Sequence, residues 1–138
     1  IVSTLGNEDC HLMLRGGKAP NYDAQSINES SEQLAKAGLS AKIMIDASHA
    51  NSNKKPENQP MVMDDVARQM ETGDQRIFGV MIESNLVGGR QDLVEGQELV
   101  YGQSITDGCI DWDTSVKVLE RLAQAVKVRR AIAAESEN

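Results

Sequence analysis

The chain has 138 residues, of which 40% are hydrophobic and 3% aromatic, and its formal net charge is −7. This length suffices for one domain with an aliphatic core. The charge argues against binding to nucleic acid or an anionic membrane, which requires clustered Lys and Arg, and no apolar run approaches the roughly 20 residues of a membrane helix.

The start of the chain and its cysteines narrow the protein class further. No basic segment followed by an apolar one opens the sequence, which indicates a cytoplasmic protein. Cys10 and Cys109 lie far apart and form no CxxC pair, so the sequence gives no sign of a structural zinc or redox site. Because the sequence starts at Ile1 without an initiator methionine, we expect it to be a piece of a longer protein.

The first predicted strand is the apolar run Cys10–Leu14, which ends in Arg15 and a glycine pair. Arginine binds phosphate oxygens through two parallel hydrogen bonds, and glycine lets the backbone approach closely. The alternative, commoner for a lone glycine pair, is a flexible turn. Asp23 then predicts the start of a helix over Ala24–Ala37, with Gly38 as its C-terminal cap.

A second strand over Ile43–Ile45 is followed by polar side chains within a few positions. Its continuous run of apolar, mostly branched residues is typical of a strand covered on both faces, as in a parallel sheet. Asp46, Ser48, His49 and Asn51 come next, and α/β folds build their sites at this carboxyl edge. The alternative is that Asp46 and Ser48 cap the next helix and that His49 is a surface residue.

A polar segment, a second helix and a third strand follow. Residues 51–60 are predicted to form a loop, long enough to be functional. Apolar residues at helical spacing predict a helix over Met61–Thr72. These residues are Val62, Val66 and Met70. The strand Arg76–Ser84 carries Glu83 near its end, and a carboxylate directly after an apolar strand needs a partner.

The last third of the chain begins with a glycine-rich segment without helical periodicity, Asn85–Asp111. We expect a long loop there, either functional or disordered. Within it, the motif SITD supplies Asp107. Asp113 is the predicted N-cap of a final helix over Thr114–Ala133. The apolar residues expected on one face of that helix are Val116, Leu119, Leu122, Ala123 and Val126.

Arg15, His49 and Glu83 recur at equal intervals, each at the end of a predicted strand. The interval is that of a βα unit, and three such units in succession predict a parallel sheet with outer helices and right-handed connections. A barrel and an open doubly wound sheet both satisfy this pattern. No glycine-rich nucleotide-binding motif follows any of the strands.

Four side chains are expected to converge at the carboxyl edge of this sheet. They are Arg15, His49, Glu83 and Asp107. One imidazole with two carboxylates suits a divalent transition metal such as manganese, iron or zinc. An arginine beside such an ion would hold an anionic group. The pattern therefore predicts Lewis-acid chemistry on a phosphorylated or carboxylated substrate.

Longer motifs carry a more specific resemblance: LRGGKAPNYDA, MIDASHANSNKK, GVMIESNLVGGRQ and YGQSITDGCIDWD. They closely resemble the C-terminal part of class I 3-deoxy-D-arabino-heptulosonate 7-phosphate (DAHP) synthase, microbial type, in order and with family-like spacing from Gly6 to about Arg130. That family is a TIM (β/α)8 barrel of about 250 residues. The resemblance implies that residues 1–138 form the last three βα units of one α/β barrel domain, with parallel strands and outer helices.

The resemblance also implies a reaction in the shikimate pathway to aromatic amino acids: phosphoenolpyruvate condenses with erythrose 4-phosphate and phosphate is released. It implies that His49, Glu83 and Asp107 are three of four ligands of a divalent metal ion (Mn, Fe, Zn or Co), which would orient and polarise the aldehyde. Arg15 matches the arginine that holds the phosphoenolpyruvate phosphate. The expected catalytic residues are therefore His49 and Arg15, and the expected substrate-binding residues are Arg15 and Asp107.

Three parts of the family pattern have no counterpart here, one of them the further Arg and Lys that complete both phosphate sites. The fourth ligand is a cysteine on the first barrel strand, which neither Cys10 nor Cys109 matches, and the KPRT-type motif is absent. We therefore expect the isolated chain to be inactive; the alternative function is a non-catalytic binding or assembly fragment. Because three strands cannot close a barrel, a homo-oligomer that buries an apolar inner face is also expected. The residues expected on that face are Met13, Ile43, Ile45, Val80 and Ile82.

Overall fold

Residues 1–7 and 9–136 are described by a computed structural model of the chain. Its first three strands form a parallel sheet in the order β1 (Leu12–Leu14), β2 (Ile43–Asp46) and β3 (Ile77–Met81), with β2 in the centre. Helix α1 (Ala24–Lys36) connects β1 to β2, and helix α2 (Gln59–Glu71) connects β2 to β3. The predicted succession of βα units is confirmed.

One face of the sheet packs against the helices. Leu14 lies beside Ile45, and Ile45 lies beside Val80, so these three side chains share that face. Ile45 is fully buried there. The helices contribute the apolar residues Ile27, Val62, Val66, Val118 and Leu122 to the same core.

The opposite face of the sheet differs from the prediction. Met13 was expected to share a face with Ile43, Ile45, Val80 and Ile82, but these four belong to or pack against the helix-side core. Met13 lies beside Met44 instead and is 38% exposed. The expected composition of the uncovered face is therefore wrong, because residues adjacent in a strand alternate between faces.

The chain between β2 and α2 is more ordered than the predicted loop over residues 51–60. It contains a short 3-10 helix, Pro56–Asn58, and α2 begins directly after it at Gln59. Proline at the first positions of a helix gives up an N–H that would have no partner there. The predicted apolar stripe is confirmed, since Val62, Val66 and Met70 are all buried.

The segment Asn85–Asp111, expected to be a loop, contains two short strands. β4 (Val87–Arg90) pairs in parallel with β5 (Gln103–Ser104). Side-chain amides reinforce the pair: Gln103 donates to the Gly88 carbonyl at 2.8 Å, and Gln91 donates to the Gln103 carbonyl at 2.9 Å. This excursion returns the chain to the carboxyl edge of the main sheet.

The last helix, α3, spans Trp112–Ser136. Asp113 was predicted to cap it, but Asp111 does so: its carboxylate accepts the Thr114 N–H at 2.8 Å. The predicted apolar face is confirmed for Leu122, which is buried, and for Val126, which packs against the core, and is wrong for Val116, Leu119 and Ala123, which are exposed. The buried residues of the helix are Ser115, Val118, Leu122 and Ala125. Neither α3 nor any other helix within residues 1–7 and 9–136 has the length and apolarity needed to cross a membrane.

Candidate functional site

The side chains of Arg15, His49, Glu83 and Asp107 line one cleft of about 490 Å³. The first three follow β1, β2 and β3, whose carboxyl ends open on the same edge because the strands are parallel. Asp107 reaches the cleft from the segment between β5 and α3. The predicted convergence of these four residues is thus seen in the structure.

Three of the four side chains have the geometry of a metal-ligand set. His49, Glu83 and Asp107 each offer one ligand atom, and these atoms lie within 4.8 Å of one another. Two carboxylates at such a separation repel each other unless a cation lies between them. An imidazole with two carboxylates is a donor set typical of divalent transition metals. The residues therefore fit a divalent ion.

His49 is held in an uncommon backbone conformation, with a φ angle of 47°. Its Nδ1 lies 2.7 Å from Oδ2 of Asp46, a residue only 1% exposed. A carboxylate only accepts hydrogen bonds, so Nδ1 of the neutral ring carries the hydrogen and Nε2 is free for a ligand. The other Asp46 oxygen accepts the Ser48 N–H at 2.8 Å.

Glu83 is oriented by the same turn. The Ser48 hydroxyl donates to Oε2 of Glu83 at 2.5 Å. The second carboxylate oxygen, Oε1, lies 3.9 Å from Nε2 of His49. The alternative role for Asp46 and Ser48, capping the next helix, is wrong, because the helix starts after β2 receive no side-chain cap hydrogen bond.

The glycine after Arg15 is required by close packing rather than by flexibility. Gly16 has a φ angle of 76°, and a Cβ on it would lie 2.7 Å from the Cβ of Ala50. The Gly16 N–H donates to the Asn21 side chain at 2.7 Å. The close approach of Gly16 to Ala50 places the end of β1 directly against the turn that carries His49. Within the described residues, the Arg15 side chain forms no hydrogen bond or ion pair, so its guanidinium is available to an anion.

A buried asparagine joins the ends of β1 and β2. Asn51, 1% exposed, donates to the carbonyl oxygens of Leu14 at 3.1 Å and Asp46 at 2.7 Å. Its own oxygen accepts the Asn21 N–H at 2.8 Å. All the polar atoms of this amide are therefore occupied by backbone, and the residue has a structural role below the cleft.

Cys109 lies near the ligand set as a free thiol. Burial raises its pKa, a hydrogen bond with Ser104 lowers it, and the carboxylates of Glu83 and Asp107 raise it further, with a net rise above the ordinary value. The thiol is therefore protonated at neutral pH.

Two residues of the site escaped the sequence analysis. Lys54 lines the cleft and is exposed. Gln59 is fully buried and binds the backbone of Glu83 through both ends of its amide. Lysine in a polar stretch and glutamine at a helix start are ordinary solvent-facing residues in a sequence, so neither carried a signal without the fold.

The fold and cleft define an α/β protein with a candidate metal- and anion-binding site at the carboxyl edge of a parallel sheet. The sequence profile described as the DAHP synthetase I family matches residues 1–120. The chain belongs to this family.

Named relatives and a solved structure agree with that membership. The chain is 54% identical over 130 residues to the Phe-sensitive phospho-2-dehydro-3-deoxyheptonate aldolase of Escherichia coli, covering 94% of this chain and 37% of that protein. It is 48% identical over 138 residues to the tyrosine-inhibited enzyme of Candida albicans, covering 96% and 37%. The structure of the aldolase from Francisella tularensis matches with a TM-score of 0.85 and 46% identity, over 90% of this chain and 36% of that one. The chain thus spans little more than a third of the length of these relatives.

Proposed function

We propose that this chain is the carboxyl-terminal part of a metal-dependent DAHP synthase barrel, which condenses phosphoenolpyruvate with erythrose 4-phosphate. The observation that carries the proposal is one cleft in which Arg15, whose side chain has no partner among the described residues, lies beside an imidazole and two carboxylates. Family membership supports the reaction, and the share of the relatives that the chain spans supports the assignment to a part of the enzyme. The three βα units would be the last three of the barrel domain.

In this proposal His49, Glu83 and Asp107 hold a divalent ion, which is Mn, Fe, Zn or Co because the donor set suits each of them. When bound, the ion supplies Lewis-acid polarisation of the aldehyde carbonyl of erythrose 4-phosphate. Asp107 is the most exposed of the three ligands, which suits a second role beside the substrate. Asp46 and Ser48 keep Nε2 of His49 and Oε1 of Glu83 directed at the shared position.

Arg15 binds the phosphate of phosphoenolpyruvate in this assignment. A guanidinium presents two parallel N–H groups that match two phosphate oxygens. Its position at the end of β1, beside Gly16 and the turn of His49, brings the phosphate close to the ligand set. A cytoplasmic location belongs to the same proposal. So does the absence of nucleic-acid or membrane binding, which the net charge of −7 supports.

A chimera tests the proposal directly. The chain replaces the matching part of the Escherichia coli Phe-sensitive enzyme, which is 54% identical to it. Phosphate release from phosphoenolpyruvate in the presence of erythrose 4-phosphate and Mn²⁺ is expected. His49→Ala, Glu83→Ala and Asp107→Ala in the chimera should each remove most activity and lower the bound metal, because each deletes one donor.

A matched acidic control is Glu29→Ala, on the exposed face of α1 and away from the cleft, which should change neither quantity. The proposal fails if all three ligand variants keep normal metal content and turnover. A folded chimera that binds metal but never turns over would favour the alternative function, a non-catalytic binding or assembly fragment.

A further inference from the structure

We propose that Gln59 is a positioning residue of the metal centre and acts through the main chain of Glu83. The inference rests on the proposed function, because it takes Glu83 as a metal ligand. Gln59 is the first residue of α2 and is fully buried. Its Oε1 accepts the Glu83 N–H at 2.8 Å, and its Nε2 donates to the Glu83 carbonyl at 3.0 Å.

These two hydrogen bonds take the place of backbone pairing at a position where β2 and β3 no longer pair with each other. β2 ends at Asp46 and β3 at Met81, so the backbone of Glu83 lies beyond the last rung between them. The last backbone bond between the two strand ends runs from the Ala47 N–H to the Met81 carbonyl at 2.8 Å. A backbone group buried without a partner costs free energy, and the Gln59 amide satisfies both groups of Glu83 with the donor and acceptor that a neighbouring strand would offer.

The Glu83 carbonyl also connects Gln59 to the segment that carries Asp107, the third proposed ligand. The Glu83 oxygen also accepts the Ile110 N–H at 3.0 Å, and the Ile110 carbonyl accepts the Asn85 N–H at 3.0 Å. Asp107 lies just before Ile110 in this segment. One buried amide thus sets the backbone of Glu83 and, one hydrogen bond further, the segment that carries Asp107.

The turn before α2 makes a second contact with that segment. Gly108 follows Asp107, and a Cβ on it would lie 3.1 Å from Cγ of Pro56, three residues before Gln59. The start of α2 therefore packs on two ligand-bearing segments at once. Metal affinity should depend on Gln59 although its side chain is not a ligand, since partners that orient ligands affect binding strongly.

The test measures Mn²⁺ binding by electron paramagnetic resonance of the free ion, with the 138-residue chain and with the chimera. Gln59→Met keeps the length of the side chain and removes both hydrogen bonds. Its Mn²⁺ affinity should fall by about 10- to 100-fold, the usual effect of losing a partner that orients a metal ligand. The visible spectrum of the Co²⁺ form should change as well, because the ligand arrangement changes.

Gln69→Met is the matched control on the same helix. Gln69 also donates to a backbone carbonyl, that of Tyr22 at 2.8 Å, but it lies outside the cleft. It should lower thermal stability without changing Mn²⁺ affinity. If Gln59→Met does not fold, Gln59→Asn decides: it keeps a neutral amide at this buried position, is one methylene too short to make both bonds to Glu83, and should bind Mn²⁺ more weakly than the parent chain.

Unchanged Mn²⁺ affinity in a folded Gln59 variant overturns the inference and leaves the proposed function intact. Equal losses of affinity in the Gln59 and Gln69 variants overturn it too, because the effect would then be general destabilisation. If neither the parent chain nor the chimera takes up Mn²⁺, the proposed metal centre itself fails, and the inference fails with it.

Discussion

Arg15 offers the sharpest test of a single side chain in the cleft. Arg15→Lys keeps the positive charge but loses the planar fork that binds two phosphate oxygens. A hydrogen bond to a charged group contributes about 1.5–3 kcal/mol, so losing one should raise the KM for phosphoenolpyruvate by about tenfold or more. The KM for erythrose 4-phosphate should change less. Steady-state kinetics of the chimera with each substrate varied in turn measure both effects.

Arg90→Lys is the control for this substitution. Arg90 lies on β4, pairs with Asp92 and does not line the cleft, so both KM values should stay at the parent level. An unchanged KM for phosphoenolpyruvate in Arg15→Lys would refute the assigned role of Arg15 without touching the metal ligands.

Two of the three candidate ligand residues follow an apolar strand and were predictable from it, since parallel strands bring such positions to one edge, whereas Asp107 follows the short polar strand β5. His49 and Glu83 needed only this rule. Their supporting contacts were not predictable, since a bond such as Ser48 to Glu83 depends on how two turns meet in space. Gln59 was the least predictable of these contacts. Its amide is buried at the start of α2, and both of its partners are backbone groups of Glu83, just beyond the end of β3.

At the scale of elements, one arginine ties α2 to α3. Arg121 on α3 donates to Asp64 at 2.8 Å and to both oxygens of Glu71, at 2.5 and 2.9 Å. Hydrogen bonds from Arg121 hold the pKa of Asp64 and of Glu71 below their ordinary values. A carboxyl group whose pKa is lower in the folded state stabilises the fold above its unfolded pKa and loses this effect as pH falls through its folded pKa.

Arg121→Met should therefore lower the melting temperature at neutral pH, and the difference from the parent should close as the pH is lowered. The difference in melting temperature should reach its full size above about pH 5.5, where unfolded Asp and Glu are almost fully ionised. Thermal unfolding followed by circular dichroism at several pH values measures it. Arg68→Met, which removes a bond to Asp64 within α2 alone, should have the smaller effect; a gap that persists unchanged in acid would contradict the assignment to these carboxylates.

The helices and the three main strands followed from periodicity, but two features did not. β4 and β5 are very short, and VGGR has no alternation, so the sequence does not predict their pairing. The structure shows it through a backbone bond from the Gln91 N–H to the Ser104 carbonyl and through the side-chain amides of Gln91 and Gln103. On α3 a polar residue, Ser115, belongs to the buried face because its hydroxyl donates to the Asp111 carbonyl at 2.7 Å. An apolar stripe chosen by residue type misses such a position.

For the whole molecule, the uncovered sheet face determines the expected behaviour in solution. This face carries Met13, which is 38% exposed, beside the partly buried Met44. Phe78, 46% exposed, lies at the irregularity in the pairing of β2 with β3, and its ring contacts that of His11, two residues before Met13, with centroids 5.0 Å apart. Among the strands of residues 1–7 and 9–136, β1 and β3 each pair only with β2 in the main sheet. Exposed apolar area next to unpaired strand edges favours association.

We therefore expect the isolated chain to form a dimer or larger assembly by light scattering and to release no phosphate above blank with both substrates and Mn²⁺. Phe78→Lys puts a charge on the uncovered face and should shift the chain towards monomer, because burying an unpaired charge at an interface is costly. Leu39→Lys, at an exposed site between α1 and β2, should leave the assembly unchanged. A monomeric parent chain with the turnover of an intact synthase would show that the cleft lined by these residues suffices for catalysis, since neither the sheet closure nor the missing ligand would then be needed.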